Sequence, residues 1–153
     1  MRLARITART LSALTFAVCT AIAAPALALP TGIYITEHEM DPSSKTFEKD
    51  VKKAQKAVVK KEGAGWKIYF VAYLKKAPGA AEVNIVFYDI TSKTKEAPNA
   101  VPIATQANAK ILMSSVEISE EMNFQAGHKY DVRITRLVGG KEDVFASTKI
   151  ELK

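Results

Sequence analysis

The amino-acid sequence predicts an all-β sandwich of seven or eight strands, with one short amphipathic helix as a further candidate element. Two aromatic-rich runs, residues 66–74 and 83–90, alternate apolar faces with a period of two, which is typical of strands. Shorter apolar runs separated by turn-forming residues precede and follow them. With 153 residues, of which 48% are hydrophobic and 25% charged, the chain is long enough for one globular core.

Residues 1–28 have the features of a secretory signal peptide. A basic start without acids precedes the uncharged apolar run 10–24, and Ala26-Leu27-Ala28 supplies the small residues of a signal-peptidase site. A transmembrane anchor is the alternative, but a span needs about 20 apolar residues and Pro25 interrupts the run. We therefore expect cleavage after Ala28, no transmembrane anchor after processing, and a single domain over residues 29–153 that is periplasmic or secreted.

Cleavage at that point would also remove the only cysteine. Cys19 lies inside the apolar run, and Val18 stands where a lipid-anchor signal would have a small residue. The processed chain would then have no disulfide, no catalytic thiol and no cysteine zinc site. It would keep 19 basic and 16 acidic residues, a net charge of +3. This excess is weaker than nucleic-acid binders normally show, so we expect no nucleic-acid partner.

The first third of the expected domain contains a strand and then an amphipathic segment. Residues 32–36 alternate as a first strand, and Asp41-Pro42 has the chemistry of a helix start. Apolar residues then recur at steps of four, three and four: Phe47, Val51, Ala54 and Val58. The stripe predicts a helix lying on an apolar surface, although residues 57–59 could equally begin a strand.

The two central runs are predicted to form a hairpin, because Pro78-Gly79 between them suits a type II turn. The register that sets Leu74 opposite Val83 also sets Phe70 opposite Phe87. It gathers three tyrosines on one face: Tyr69, Tyr73 and Tyr88. We expect that face to contact Phe47 and Val51 rather than a sugar. The alternative to a hairpin is that the second strand crosses to the other sheet.

Four further strands are predicted toward the carboxyl end. Residues 101–107 and 111–118 are short apolar runs, and residues 130–138 and 143–152 form a closing hairpin. A three-residue loop over 139–141 sets Val132 opposite Thr148 and Tyr130 opposite Ile150, which keeps apolar faces together.

The segment 124–134, which leads into the closing hairpin, combines an apolar residue, a turn glycine and a tyrosine with an alternating strand: Phe124, Gly127, Tyr130, Val132 and Ile134. It resembles the tyrosine-corner segment of fibronectin type III and immunoglobulin-like sandwiches, in which the tyrosine hydroxyl bonds back to the chain upstream. Ala126 stands where fibronectin-type domains often have proline, and the paired cysteines of antibody domains are absent. The resemblance implies an immunoglobulin-like or fibronectin type III-like fold, and such folds host many unrelated functions.

The sequence predicts no enzyme. The two histidines, His38 and His128, lie in no pattern that makes a nucleophile or a general base, and neither a nucleophile elbow nor a zinc-hydrolase motif is present. We expect no catalytic residues and no cofactor.

Copper is the specific alternative. His38 and Met40 form a His-x-Met step, and the methionine thioether suits Cu(I). Met113, Met122 and His128 could complete such a site if the fold brought them near. The competing interpretation of Met113 is ordinary core packing, because it lies in an apolar run.

The lysine-rich segment 45–61 is the other candidate site. It holds seven lysines against Glu48 and Asp50, a local charge of +5, so the rest of the processed chain totals −2. One interpretation is the solvated face of an amphipathic element. The other is a surface that docks an unknown protein or an anionic cell-surface polymer. The residues that would carry this surface are Lys49, Lys52, Lys53 and Lys56.

These observations lead to one functional expectation and one alternative. The chain is expected to be an exported, non-catalytic binding or assembly module of the bacterial cell envelope. The alternative is a small-ligand or metal carrier of the periplasm, with copper as the specific metal.

Overall fold

The computed structural model describes residues 29–93 and 97–153. The predicted signal peptide, including Cys19, lies outside the described residues. Within them, eight strands and one α-helix, α1 (Phe47–Ala54), follow one another along the chain. The strands are β1 (Gly32–Thr36), β2 (Val58–Val59), β3 (Gly65–Tyr73), β4 (Glu82–Asp89), β5 (Asn99–Ala104), β6 (Ile111–Ser119), β7 (Lys129–Val138) and β8 (Lys141–Leu152). A 3₁₀ helix, Glu120–Met122, follows β6.

The strands form two packed sheets, so the predicted all-β sandwich is confirmed. One sheet has the order β1-β3-β6 and the other the order β2-β8-β7-β4-β5. Neighbours are antiparallel except β2, which runs parallel to β8. The main core lies between the sheets and includes the largest fully buried side chains: Trp66, Tyr130, Phe70, Phe87, Phe124 and Phe145.

β3 carries apolar residues on both faces, and both faces are covered by other parts of the protein. Its inward residues, such as Ile68 and Phe70, belong to the main core. Its outward residues Val71 and Tyr73 form a second buried cluster with Val51 of α1. The helix therefore lies on the outer face of the three-stranded sheet, and the predicted contact between this tyrosine face and the helix holds for β3.

The predicted β3–β4 hairpin is wrong. The two strands lie in different sheets, so the predicted pairs Leu74–Val83 and Phe70–Phe87 are not formed. Just after β3, the N–H of Lys75 donates to the carbonyl of Phe145 in the opposite sheet, at 3.0 Å, and the chain crosses to that sheet. The alternative is confirmed, because the second strand crosses to the other sheet. Of the predicted turn chemistry, the positive φ at Gly79 is observed.

That turn chemistry rests on one glycine. Gly79 adopts a positive φ of 64°, which glycine tolerates without strain. Its N–H donates to the carbonyl of Ala107 at 2.8 Å, so the loop is held by the β5–β6 connection rather than by a strand partner of its own.

The base of the closing hairpin has the predicted register. Tyr130 lies opposite Ile150 and Val132 opposite Thr148. The hydroxyl of Tyr130 accepts a hydrogen bond from the N–H of Gln125 at 2.9 Å, so this side chain ties the start of β7 to the preceding loop.

The predicted three-residue loop over residues 139–141 is wrong. Val138 pairs with Lys141, which leaves a two-residue turn of Gly139 and Gly140, with φ of 57° and 76°. Positive φ at both positions is what a type I′ hairpin turn requires. The extra residue is absorbed within β8, where the ladder skips Phe145 in a β-bulge.

The helix begins later than predicted, and it ends before Val58. Asp41 accepts hydrogen bonds from the N–H and hydroxyl of Ser43, at 2.9 and 2.7 Å, and so closes a local turn instead of capping a helix. Val58 belongs to β2, which confirms the alternative that residues 57–59 begin a strand.

Candidate functional site

The four predicted lysines lie together on one exposed strip, which we call the basic helix surface: Lys49, Lys52, Lys53 and Lys56. All four are exposed to solvent. The spacing of three, one and three residues matches the pitch of an α-helix and keeps the first three on one side of α1. Lys56 follows two residues after the helix end.

The opposite side of α1 fixes this surface to the sandwich. Val51 is fully buried, and Phe47 packs at the edge of the same cluster. The hydroxyl of Thr46 donates to the carboxylate of Asp50 at 2.7 Å, which holds one of the two acids of the segment at the start of the helix. Acids near the first turn and lysines in the last turn both suit the helix dipole.

The segment after α1 is tied to both sheets by its backbone. The N–H of Lys56 donates to the carbonyl of Ile35 in β1 at 2.9 Å. The N–H of Glu151 donates to the carbonyl of Ala57 at 2.8 Å, which adds β2 to the edge of the other sheet. The lysines therefore project from a fixed backbone rather than from a free loop.

Most of the charge on the basic helix surface is not neutralised. Within residues 29–93 and 97–153, Lys49, Lys52 and Lys53 make no ion pair. Lys56 lies 3.2 Å from Glu37, a pair exposed on both sides and so only weakly stabilising. The pair between Glu37 and Lys56 could not be predicted from a local pattern, because strand β1 and the chain after α1 bring the two residues together.

The predicted copper residues are only partly brought together. Met40 and Met113 pack against the same outer cluster and both line a groove of about 300 Å³ over β3 and β6, together with Glu39. His38 is exposed, and its carbonyl accepts a hydrogen bond from the Thr36 hydroxyl at 2.8 Å.

The other two candidate ligands lie elsewhere. Met122 is in the 3₁₀ helix and lines a different groove beside Trp66. His128 is held by Asp89 on the five-stranded sheet, with 2.6 Å between the imidazole Nδ1 and the carboxylate. Among the described residues, no three histidine, cysteine or acidic side chains converge as a metal site would require.

The Asp89–His128 pair was not predicted from the sequence. Burial raises the pKa of Asp89, but the hydrogen bonds from His128 and from the N–H groups of Ser92 and Thr91 outweigh it and lower that pKa overall. The pair holds the carboxyl end of β4 beside the loop that precedes β7. The two residues are 39 positions apart, and no local pattern connects them.

Tyr88 is separated from the other two tyrosines of the predicted cluster. Because β4 lies in the other sheet, Tyr88 is on the opposite side of the sandwich from Tyr69 and Tyr73. Its hydroxyl donates to Glu142 at 2.8 Å, and the guanidinium of Arg133 lies 4.5 Å from its ring centre.

Neither helix of the described residues has the length or the apolar character needed to cross a bilayer. Comparisons with known proteins give no match: no family model fits the chain, and no curated protein or solved structure is significantly similar to it.

Proposed function

We propose that this protein is an exported, non-catalytic binding or assembly module of the bacterial cell envelope, which docks an anionic partner on the basic helix surface. The observation that carries the proposal is a set of three lysines, without ion partners in the described part of the chain, on a helix that is fixed by a buried valine. Clustered like charge on a rigid support attracts an oppositely charged partner and costs little ordering of the backbone on binding.

The same proposal includes an immunoglobulin-like fold. In that fold strands A, B and E share one sheet, while C, F and G share the other. Assigning β1, β3, β4, β6, β7 and β8 to A, B, C, E, F and G reproduces this division. The hydrogen bond between Gln125 and the hydroxyl of Tyr130 at the start of β7 further supports it.

Export is supported by the sequence of the first 28 residues. Mass spectrometry of the exported protein should place the N-terminus at Leu29. An intact Met1 or a lipid on Cys19 would contradict a soluble exported form.

The test of docking is retention on a polyanion, with heparin as the probe. Replacing Lys49, Lys52, Lys53 and Lys56 by Glu should abolish retention at low salt. Retention of the unchanged protein should strengthen as salt falls, because the Debye length grows from about 8 Å at physiological salt to about 30 Å at 0.01 M.

A matched variant separates a site from net charge. Lys93, Lys129, Lys141 and Lys149 are also exposed and make no ion pair within the described residues. Replacing these four by Glu changes the net charge equally but leaves α1 intact, so retention should be largely kept. Equal loss in both variants, with both folded, would mean that the protein responds to polyanions only through its total charge.

Copper binding is the second candidate, favoured only by the shared groove of Met40 and Met113. Titration with Cu(I) under anaerobic conditions tests it directly. Binding at micromolar affinity that is lost in both His38→Ala and Met113→Leu would establish the carrier function and displace the first proposal.

A further inference from the structure

The described residues leave four edge strands, and β6 is the longest of them. β6 has nine residues, whereas β5 has six, β1 has five and β2 has two. An edge strand presents unpaired N–H and C=O groups, which can pair with a strand of another molecule. The four edges differ in how far these groups are already used.

The outward groups of β6 can be identified from one hydrogen bond. The N–H of Leu74 donates to the carbonyl of Lys110 at 2.8 Å, immediately before β6 begins. Hydrogen-bonded pairs alternate along an antiparallel ladder, so every second residue from Ile111 turns its backbone groups away from β3. These residues are Ile111, Met113, Ser115, Glu117 and Ser119. Within the described chain, the backbone groups of the first four have no partner.

Two of the other edges, β1 and β5, are partly blocked. The carbonyl of Ile35 on β1 is taken by Lys56, as described above. On β5, the bond from the N–H of Thr105 to the carbonyl of Ala81 fixes the same alternation and turns position 102 outward. That position is Pro102, which has no N–H to offer another strand.

β1 contacts β8, so the β6 and β5 edges of the two sheets lie toward the other side of the sandwich, and this side is almost free of charge. Of the fifteen residues of β5 and β6 only Glu117 is charged, against 25% of the whole chain. Glu117 is already paired with Lys67 at 3.3 Å. Solvent-facing edges normally carry charges that prevent association, and depletion of charge marks the core of an interface.

We propose that β6 pairs antiparallel with β6 of a second copy of this chain, about a two-fold axis at Ser115. In this register Met113 faces Glu117 of the other copy, so the two Glu117 side chains are kept apart. Lys110, just before β6, comes beside Glu120 of the other copy, just after it. A register centred on Glu117 would instead place two carboxylates opposite each other, which is destabilising.

The area available fits a weak dimer. Nine residues at about 3.4 Å each make an edge about 30 Å long, and two sheets about 10 Å apart with their side chains make a side about 20 Å wide. Contact over this side would bury about 1,200 Å² in total, which is at the lower end of specific interfaces.

The small residues Ala100, Pro102 and Ala104 of β5 are exposed and allow close approach. The basic helix surface stays free, because α1 contacts β1 at the opposite edge.

Cysteine cross-linking tests the register. With Cys19 replaced by serine, Ser115→Cys places two thiols opposite each other, where Cα atoms about 5.5 Å apart permit a disulfide. Glu117→Cys faces Met113 of the other copy and leaves its two thiols several residues apart. We expect diamide to convert Ser115→Cys to a covalent dimer and to leave Glu117→Cys mostly monomeric. Equal cross-linking of the two would overturn the proposed register.

Sedimentation over micromolar to millimolar concentrations tests dimerisation itself. Ser115→Pro removes an outward N–H without touching the β3 ladder, as Pro102 does on β5, and should weaken dimerisation by at least about tenfold. Ser115→Ala keeps the N–H and should dimerise like the unchanged protein. An unchanged protein that stays monomeric throughout, or a Ser115→Pro variant that keeps its melting temperature and dimerises normally, would overturn the proposal.

Discussion

The buried hydroxyl groups of Tyr73 and Tyr130 differ in whether they take part in a hydrogen bond. The hydroxyl of Tyr73 is buried under α1 and has no hydrogen-bond partner among the residues that the structure describes, and burial raises its pKa. The hydroxyl of Tyr130 accepts the N–H of Gln125. An unpaired buried hydroxyl costs free energy, whereas removing a partnered one leaves another group unsatisfied.

The same substitution should therefore act in opposite directions. Tyr73→Phe should leave the free energy of unfolding unchanged or raise it by up to about 1 kcal/mol, and Tyr130→Phe should lower it by about 1–2 kcal/mol. Urea denaturation of both variants beside the unchanged protein measures this. Destabilisation of similar size in both would show that Tyr73 has a partner in solution.

Asp89 gives a pH dependence with a defined sign. Its pKa in the folded state is lowered from 3.8, so its contribution to stability is present above that value and is lost as the pH falls through the lower folded pKa. Asp89→Asn should lower the free energy of unfolding by about 2 kcal/mol at neutral pH. The gap between the variant and the unchanged protein should be full above about pH 4 and should close only as the pH falls through the lowered pKa of Asp89. A difference in the free energy of unfolding that keeps the same size throughout acid titration would assign the effect to packing instead.

Among the elements, α1 depends most on a single side chain. Val51 is its one fully buried residue, with Phe47 and Ala54 only half-buried. Val51→Ala should lower the free energy of unfolding by about 2 kcal/mol, since it removes most of the apolar contact that holds the helix on β3. Lys52→Ala, on the exposed side, should change it by less than about 0.5 kcal/mol. Thermal unfolding of the pair measures the difference.

How much of each element could be predicted depended on whether its determinants were local. The alternation of β3 and the stripe of Phe47, Val51 and Ala54 are local, and both were located correctly, whereas the last predicted member of the stripe, Val58, lies in β2. The helix start was wrong because Asp41 satisfies Ser43 rather than a helix. The length of the closing turn was wrong because the ladder absorbs one residue in a bulge at Phe145, which lies several residues away from the turn.

For the whole molecule, the sandwich was predictable and the pairing of its strands was not. Alternating runs and turn signals are enough to predict two layers. Which sheet a strand joins depends on partners far away in the sequence. Here the N–H of Lys75 donates to the carbonyl of Phe145, and the chain crosses to the other sheet instead of forming a hairpin. The lysines of the candidate site were predicted from charge alone. Their backbone support from Ile35 and β8 could not be predicted, because it is made by residues far away in sequence.

The central claim is that anionic partners bind on the basic helix surface, and the most direct measurement is a map of amide chemical shifts. Heparin fragments would be titrated into isotope-labelled protein at low salt. The account predicts shift changes concentrated in residues 47–61, with little change along β6 or in the turn at Gly139 and Gly140. Changes spread evenly over the surface, or centred on another part of the sandwich, would contradict it.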